Sequence, residues 1–144
     1  MNVKRNKRLL LIGSLAILLN FSSCSKYEDG PLFSLKTKIS RLTGADWEVV
    51  RMGDIDIEYP NKIILDFDKD GDFSATTTYN YSSEYYGSYT ETYNTIGQWE
   101  WEDGKESIEV VIEGEKLEWE ILRLTSDELW FEDEDRQKWV CEEE

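Results

Sequence analysis

Ser107-Ile-Glu-Val-Val-Ile-Glu-Gly-Glu-Lys-Leu-Glu-Trp-Glu-Ile-Leu-Arg-Leu124 is the stretch on which the fold turns. Ile108, Val110 and Ile112 alternate with Glu109, Val111 and Glu113. A period of two marks a half-buried strand, because successive side chains leave opposite faces of a sheet. Gly114-Glu115 interrupts the alternation and Lys116–Leu124 resumes it, so the stretch reads as an antiparallel hairpin. Downstream, Ser126-Asp127 turns into Glu128–Glu132, and Asp133–Asp135 into Gln137–Cys141. Upstream, Asp103-Gly104 is a hairpin signal preceded by Thr95–Glu102, with Trp99 and Trp101 on one face. Working back, Ser88–Asn94 reads as a strand, Ser82–Gly87 as a loop, and Asp72–Tyr81 as a strand. Asp68-Lys69-Asp70-Gly71 is a turn, and Lys62–Phe67 and Trp47–Met52 are the first two strands. About nine short strands thus succeed one another through tight turns, with no helix between them. That excludes βαβ units and a parallel sheet. The expectation is an all-β, antiparallel up-and-down barrel of about eight strands, since closure removes the exposed edges of such a meander.

The chain before the first strand reads differently. Leu35, Ile39 and Leu42 recur at helical spacing, with Ser34 as N-cap and Gly44 as the stop, which predicts a short helix over Ser34–Leu42. Further upstream, Lys4, Arg5, Lys7 and Arg8 precede an apolar run, Leu9–Leu19. A membrane-crossing helix needs about 20 apolar residues, so the run fits the core of a signal peptide. Phe21 is too large for the −3 pocket of ordinary signal peptidase. Small residues directly before Cys24 resemble the lipobox of bacterial lipoproteins, and the resemblance implies cleavage before Cys24 and acylation of its thiol. Two or three acyl chains hold firmly where one holds marginally. The reading is therefore a signal peptide at 1–23, a lipidated tether at 24–33 closed by Gly30-Pro31, and a barrel domain at 34–144. Glu28 and Asp29, close behind the lipidated Cys, resemble the acidic export signals of surface lipoproteins in Bacteroidetes. An outer-membrane location, anchored by lipid, is the expectation, with the domain on either the cell-surface or the periplasmic side.

Composition excludes several functions. The chain carries a net charge of −15, and residues 1–23 hold four cations and no acids, so the mature charge is −15 − 4 = −19. Such a surface repels nucleic acid, whose binding needs clustered Lys and Arg. There is no histidine, which removes Ser-His and Cys-His nucleophile pairs and His metal sites. No carboxylate pair stands out among 31 acids, so neither catalysis nor a cofactor is expected. Cys141 lies beside the Glu142-Glu143-Glu144 tail, whose charge disfavours the thiolate, and reads as a packed, unreactive thiol.

Arg41-Leu-Thr-Gly-Ala-Asp-Trp47 resembles the opening Gly-x-Trp of lipocalins. Gly97-Gln-Trp-Glu-Trp101 and Ile121-Leu-Arg-Leu-Thr-Ser-Asp-Glu-Leu129 are similar to the second half of small lipocalin-like lipoproteins of Bacteroidetes. The resemblance implies a lipocalin-like barrel whose early tryptophan, Trp47, closes one end under the N-terminal helix. The arginine that lipocalins place near the C-terminal strand has Lys138 or Arg136 as its stand-in. It names no ligand, because a fold is not a function.

The sequence offers three candidate sites. Asp66-x-Asp68-x-Asp70-Gly71, with Asp72, matches the first half of a calcium loop, but Thr77 stands where its glutamate belongs. An Asp-Gly hairpin turn is the preferred reading, and no metal is expected. Thr76–Thr95 is rich in Tyr, Ser and Thr, and rings rimmed by hydroxyls suit a glycan or protein partner. Trp99, Trp101 and Trp119 alternate and either line a cavity or pack the core. Because Trp47 closes one end, the connections Met52–Asn61 and Ser82–Gly87 lie at the opposite, open pole. A small apolar ligand or glycan would there meet Tyr81, Tyr85 and Tyr86 at the rim, with Trp99 or Trp101 deeper. The alternative is a solid barrel serving as a structural or protein-interaction subunit of an outer-membrane complex.

Overall fold

The computed structural model describes residues 36–144 other than 86, 103 and 105. The expected signal peptide, Cys24, the tether, Ser34 and Tyr86 lie outside the described residues. Helix α1 (Lys38–Leu42) comes first. Thr37 caps it, its side chain accepting the Ser40 backbone N–H at 3.1 Å, which satisfies one of the orphan donors of a first helical turn. The helix is a lid over one end of the strand barrel. Leu42 is fully buried and its carbonyl accepts the Trp47 indole N–H at 2.8 Å. Arg41, also buried, donates to the Leu124 carbonyl at 3.4 Å.

The barrel is built from nine strands: β1 (Trp47–Met52), β2 (Ile55–Asp56), β3 (Lys62–Phe67), β4 (Asp72–Ser83), β5 (Gly87–Trp101), β6 (Ser107–Ile112), β7 (Glu115–Leu124), β8 (Glu128–Glu132) and β9 (Lys138–Glu143). Every pairing is antiparallel. β1 pairs with β9 from Trp47↔Glu143 to Met52↔Trp139, which closes all the strands but β2 into an eight-stranded barrel. β2 covers only the second half of β1, beyond the point where β3 stops.

Several boundaries differ from the sequence reading: α1, expected from Ser34, begins at Lys38 behind the Thr37 cap, and others lie in β5 and its turn. Ser88–Asn94 and Thr95–Glu102 are one strand, β5, whose ladder with β4 passes through Thr76↔Asn94 and Ala75↔Thr95 without a break. The expected loop over Ser82–Gly87 contracts to a tight turn, because Ser83 pairs with Gly87. The β6–β7 hairpin turns one residue earlier than the expected Gly114-Glu115: Ile112 pairs with Glu115, and Glu113 and Gly114 are both at positive φ (54° and 87°). That is the two-residue turn whose twist matches its strands. Gly97 marks a bend: a β-carbon there would lie 2.3 Å from the Val111 carbonyl oxygen, so only glycine permits this approach of β5 to β6.

Alternation sends Leu65, Phe67, Phe73, Trp99, Ile108, Val110, Leu129 and Phe131 inward, all buried. The rings among them form a continuous chain. Trp99 meets Phe67 edge-on at 5.8 Å, and Phe67 meets Phe73 at 5.2 Å. Phe73 contacts Trp119 at 5.6 Å, Trp119 stacks on Phe131 at 4.6 Å, and Phe131 stacks on Trp139 at 5.5 Å. Each buried ring of this kind contributes roughly 1.5–3 kcal/mol by removal from water. These rings fill the lid half of the barrel, while Trp119 and Trp139, with Met52 and Ile63 toward the other end, are only partly buried.

Candidate functional site

The site grows out of a mismatch in strand length. β3 accompanies β4 only as far as Lys62↔Thr78, and β6 accompanies β5 only from Gly97. Beyond those points, 79–83 and 87–96 pair only with the opposite strand of their own hairpin, and a two-stranded ribbon projects past the rim. At about 3.3 Å per residue, the outer edge of β5 that no described strand covers runs roughly 33 Å. Its base is braced by Asn61, whose side chain accepts the Asn80 backbone N–H at 3.0 Å, and by the Pro60 carbonyl, which accepts from the Asn80 amide.

Strand parity gives the ribbon two different faces. Tyr79 and Tyr81 of β4 and Tyr89, Glu91 and Tyr93 of β5 continue the inner face of the barrel outward. Tyr81 stacks on its cross-strand partner Tyr89 at 5.0 Å, Tyr79 lies 6.2 Å from Tyr81, and Tyr93 lies 6.1 Å from Tyr79. All four rings are exposed, at 41–53% of their free surface. The other face is a row of hydroxyls and amides, with Thr76 donating to Asn94, Thr90 to Asn80 and Ser88 to Ser82.

Glu91 is the charge within the aromatic face. The Tyr93 hydroxyl donates to its carboxylate at 2.6 Å, and that bond, reinforced by the negative charge, pushes the Tyr93 phenol up to about 12. The Tyr81 phenol is raised as well, first by desolvation and then by Glu91. Across residues 70–104 the chain holds seven acids and no Lys or Arg. Tyr59 and Ile55, both strongly exposed, lie in the β1–β3 connection at the same end of the barrel, and Tyr85 at the ribbon tip is 91% exposed.

The structure separates the residues that sequence reasoning grouped. Tyr81 is on the ribbon and Tyr85 at its tip. Trp99 is in the core near the lid, its indole N–H donating to the Asp68 carbonyl at 2.9 Å. Trp101 is half-buried, edge-on to Trp99 at 6.1 Å. Tyr89 and Trp99 are ten residues apart on one strand, roughly 33 Å, so rim tyrosines over deep tryptophans do not form one pocket. Cavities do occur on the outer wall. One of about 530 Å³ is lined by Asp66, Asp68, Ser74, Ile96 and Gln98, and one of about 400 Å³ by Glu48, Tyr59, Asn61, Lys62 and Thr78.

The remaining candidates take structural positions. Asp68 accepts the Asp70 backbone N–H at 2.8 Å within the β3–β4 turn. Asp66 beside it has a raised pKa, from desolvation first and then from Asp46 and Asp68. Among the described residues, no three or more His, Cys, Asp or Glu are grouped to hold a metal ion. Cys141 is fully buried, and desolvation pushes its thiol up to about 12. Lys138 lies over the Trp130 ring at 4.0 Å, and Arg136 is exposed in the β8–β9 turn, so neither joins the lid. The buried arginine at the closed end is Arg41, which the sequence reading did not single out. Its signal was present only as its place one residue before Leu42.

No family model and no curated protein matches the sequence. Among solved structures, the chain is similar to a lipocalin-like protein from Bacteroides uniformis, with 14% identity and a TM-score of 0.51. The match covers 72% of this chain and 99% of that one. The fold is thus a lipocalin-like barrel. Among the described residues, no helix is long and apolar enough to cross a membrane.

Proposed function

We propose that this protein is a non-catalytic binding module, tethered to the outer membrane through an acylated Cys24, that meets an envelope or extracellular partner end-on through its tyrosine-faced ribbon. One observation carries the reading: four exposed tyrosines in continuous ring contact stand outside a barrel whose lid half is packed with its own rings. Rigid aromatic rings give large contact area at low entropic cost, and clustered exposed aromatics mark interaction surfaces. The direction of the chain supports the geometry. Helix α1 covers the end opposite the ribbon, so a tether entering there holds the ribbon away from the lipid. Ten extended residues span roughly 35 Å.

A second reading draws on the lipocalin-like fold. A small apolar ligand or glycan would enter the open end, beside the half-buried Met52, Ile57, Ile63 and Trp139. Two experiments test the first reading. Metabolic labelling with a fatty acid tags the wild type, and Cys24→Ala abolishes both the tag and membrane fractionation. A photo-crosslinking amino acid at Tyr85 gives a discrete adduct in cells, whereas the same group at Lys69, in the turn at the lid end, gives none. Equal adducts from both positions, or none from Tyr85, refute end-on binding.

A further inference from the structure

We infer that the free edge of β5 over residues 87–96 is a docking strand for a basic, extended segment of a partner protein, which adds to the sheet there with its cationic side chains on the tyrosine face. This rests on the binding role proposed above and specifies the chemistry of the partner.

The first support is the edge itself. In an antiparallel strand every second residue turns its N–H and C=O away from its neighbour. Over 87–96 about five residues therefore turn outward donors and acceptors that no other described strand pairs. Proteins usually blunt such edges with Pro, Lys or bulges. Residues 87–96 contain neither Pro nor Lys, and the register with β4 is unbroken from Asp72↔Gln98 to Ser83↔Gly87. Tyr89, Thr90, Thr92, Tyr93 and Thr95 also have high strand propensity. An edge with these properties is a template for strand addition.

Charge decides the occupant. A strand added beside β5 brings its side chains level with Tyr89, Glu91 and Tyr93 on one face. Guanidinium and ammonium groups are attracted to the faces of aromatic rings, and Glu91 supplies the opposite charge between two of them. Glu84 near the tip adds to that charge, and residues 79–96 carry no Lys or Arg. A second copy of the chain is disfavoured. Antiparallel pairing of β5 with itself, centred on Glu91, matches Tyr89 with Tyr93 and Thr90 with Thr92 but sets Glu91 against Glu91, between bodies that each carry a large negative charge.

The probe is a capped ten-residue peptide of alternating Arg and Thr, titrated by fluorescence anisotropy against the full chain in non-ionic detergent. Two controls accompany it: the Glu-for-Arg peptide, and the Arg peptide N-methylated at alternate residues, which removes one edge of its backbone donors. The expected result is binding by the first peptide alone. Affinity falls about tenfold on Glu91→Gln and again on Tyr89→Ser, and weakens with added salt over the range where the Debye length drops from about 10 to 3 Å. The outward-facing amides among residues 88–96 slow in hydrogen exchange only when the peptide is present. Equal binding by the N-methylated peptide overturns the inference, reducing it to condensation of cations on an acidic surface. Protection of 88–96 that grows with protein concentration alone overturns it in favour of a second copy. A Tyr85 adduct in cells without peptide binding overturns the basic-segment assignment while leaving the binding role standing. No adduct and no binding remove both.

Discussion

Phe131→Ala distinguishes a filled barrel from a hollow one. Phe131 is 1% exposed and lies between Trp119 at 4.6 Å and Trp139 at 5.5 Å, stacked on both. Truncation removes a ring that no water can replace, and the two large indoles, each anchored on its own strand, cannot close the gap. Fully buried Phe→Ala changes cost about 3–5 kcal/mol, and loss of stacking on both sides places this one at about 4 kcal/mol or above. For a domain somewhat over 100 residues, about 4 °C is lost per kcal/mol, which gives a fall of roughly 16–20 °C. Urea denaturation monitored by far-UV circular dichroism reads the change as a lower midpoint at unchanged slope. The hole left behind is apolar and dry, so millimolar benzene recovers part of the loss, as ligands that bind only the native state do. A loss under about 1.5 kcal/mol, without rescue, refutes the filled interior and returns the small-ligand reading to first place.

The geometry sets three other outcomes. Tyr81→Ser with Tyr89→Ser leaves the melting temperature within about 3 °C of wild type, since exposed surface changes seldom matter more, and a larger fall shows the ladder to be part of the fold. Cys141 resists a thiol reagent such as DTNB until the protein unfolds. Its thiol ionises first in the unfolded chain, near 9, and only at about 12 in the fold, so its contribution is complete below pH 9 and is lost as pH rises from 9 toward 12; Cys141→Ala flattens that alkaline decline, and an unchanged slope contradicts the assignment. Asp66 is raised in the fold by desolvation and by Asp46 and Asp68, so at neutral pH its ionisation opposes folding; because the carboxylate is exposed and screened, Asp66→Asn raises the melting temperature by about a degree at pH 7, and the gain disappears as pH falls through the raised pKa toward 3.8.

The barrel was legible because a period of two survives wherever a third strand covers one face, as in Ile108, Val110 and Ile112. It failed at the ribbon for the same reason. From Tyr79 to Thr95 both faces carry polar or amphipathic residues, Tyr and Glu on one and Thr, Ser and Asn on the other, so alternation says nothing about where burial ends. That limit is set by the lengths of β3 and β6, which stop at Lys62↔Thr78 and Gly97↔Ile112. Asn94-Thr95 looked like a break between strands, yet pairing with β4 runs through it. The tyrosines were recognisable as an aromatic surface with hydroxyl neighbours. Trp99 was not separable from them, because strand parity puts both on the same face and only distance along the strand tells core from ribbon. Arg41 was illegible for a different reason: its partner, the Leu124 carbonyl, is 83 residues away.

An isolated two-stranded hairpin is marginal in water, and the outer ribbon has no third described strand to lean on. What holds it is local: the Tyr81–Tyr89 stack, the hydroxyl and amide pairs behind it, and the brace from Asn61 and Pro60 to Asn80. Such an element sits at the low end of local stability, and a strand added along β5 would stabilise it by supplying the missing third member. The same exposed edge on a neutral protein would invite chains to pair with one another. Here the large negative charge keeps copies apart, so an edge without Pro, Lys or bulge is tolerable as long as the carboxylates stay ionised. Charge thereby acts as a filter as well as a solvating shell: it rejects another copy of the same acidic chain and admits a basic strand of the same backbone geometry.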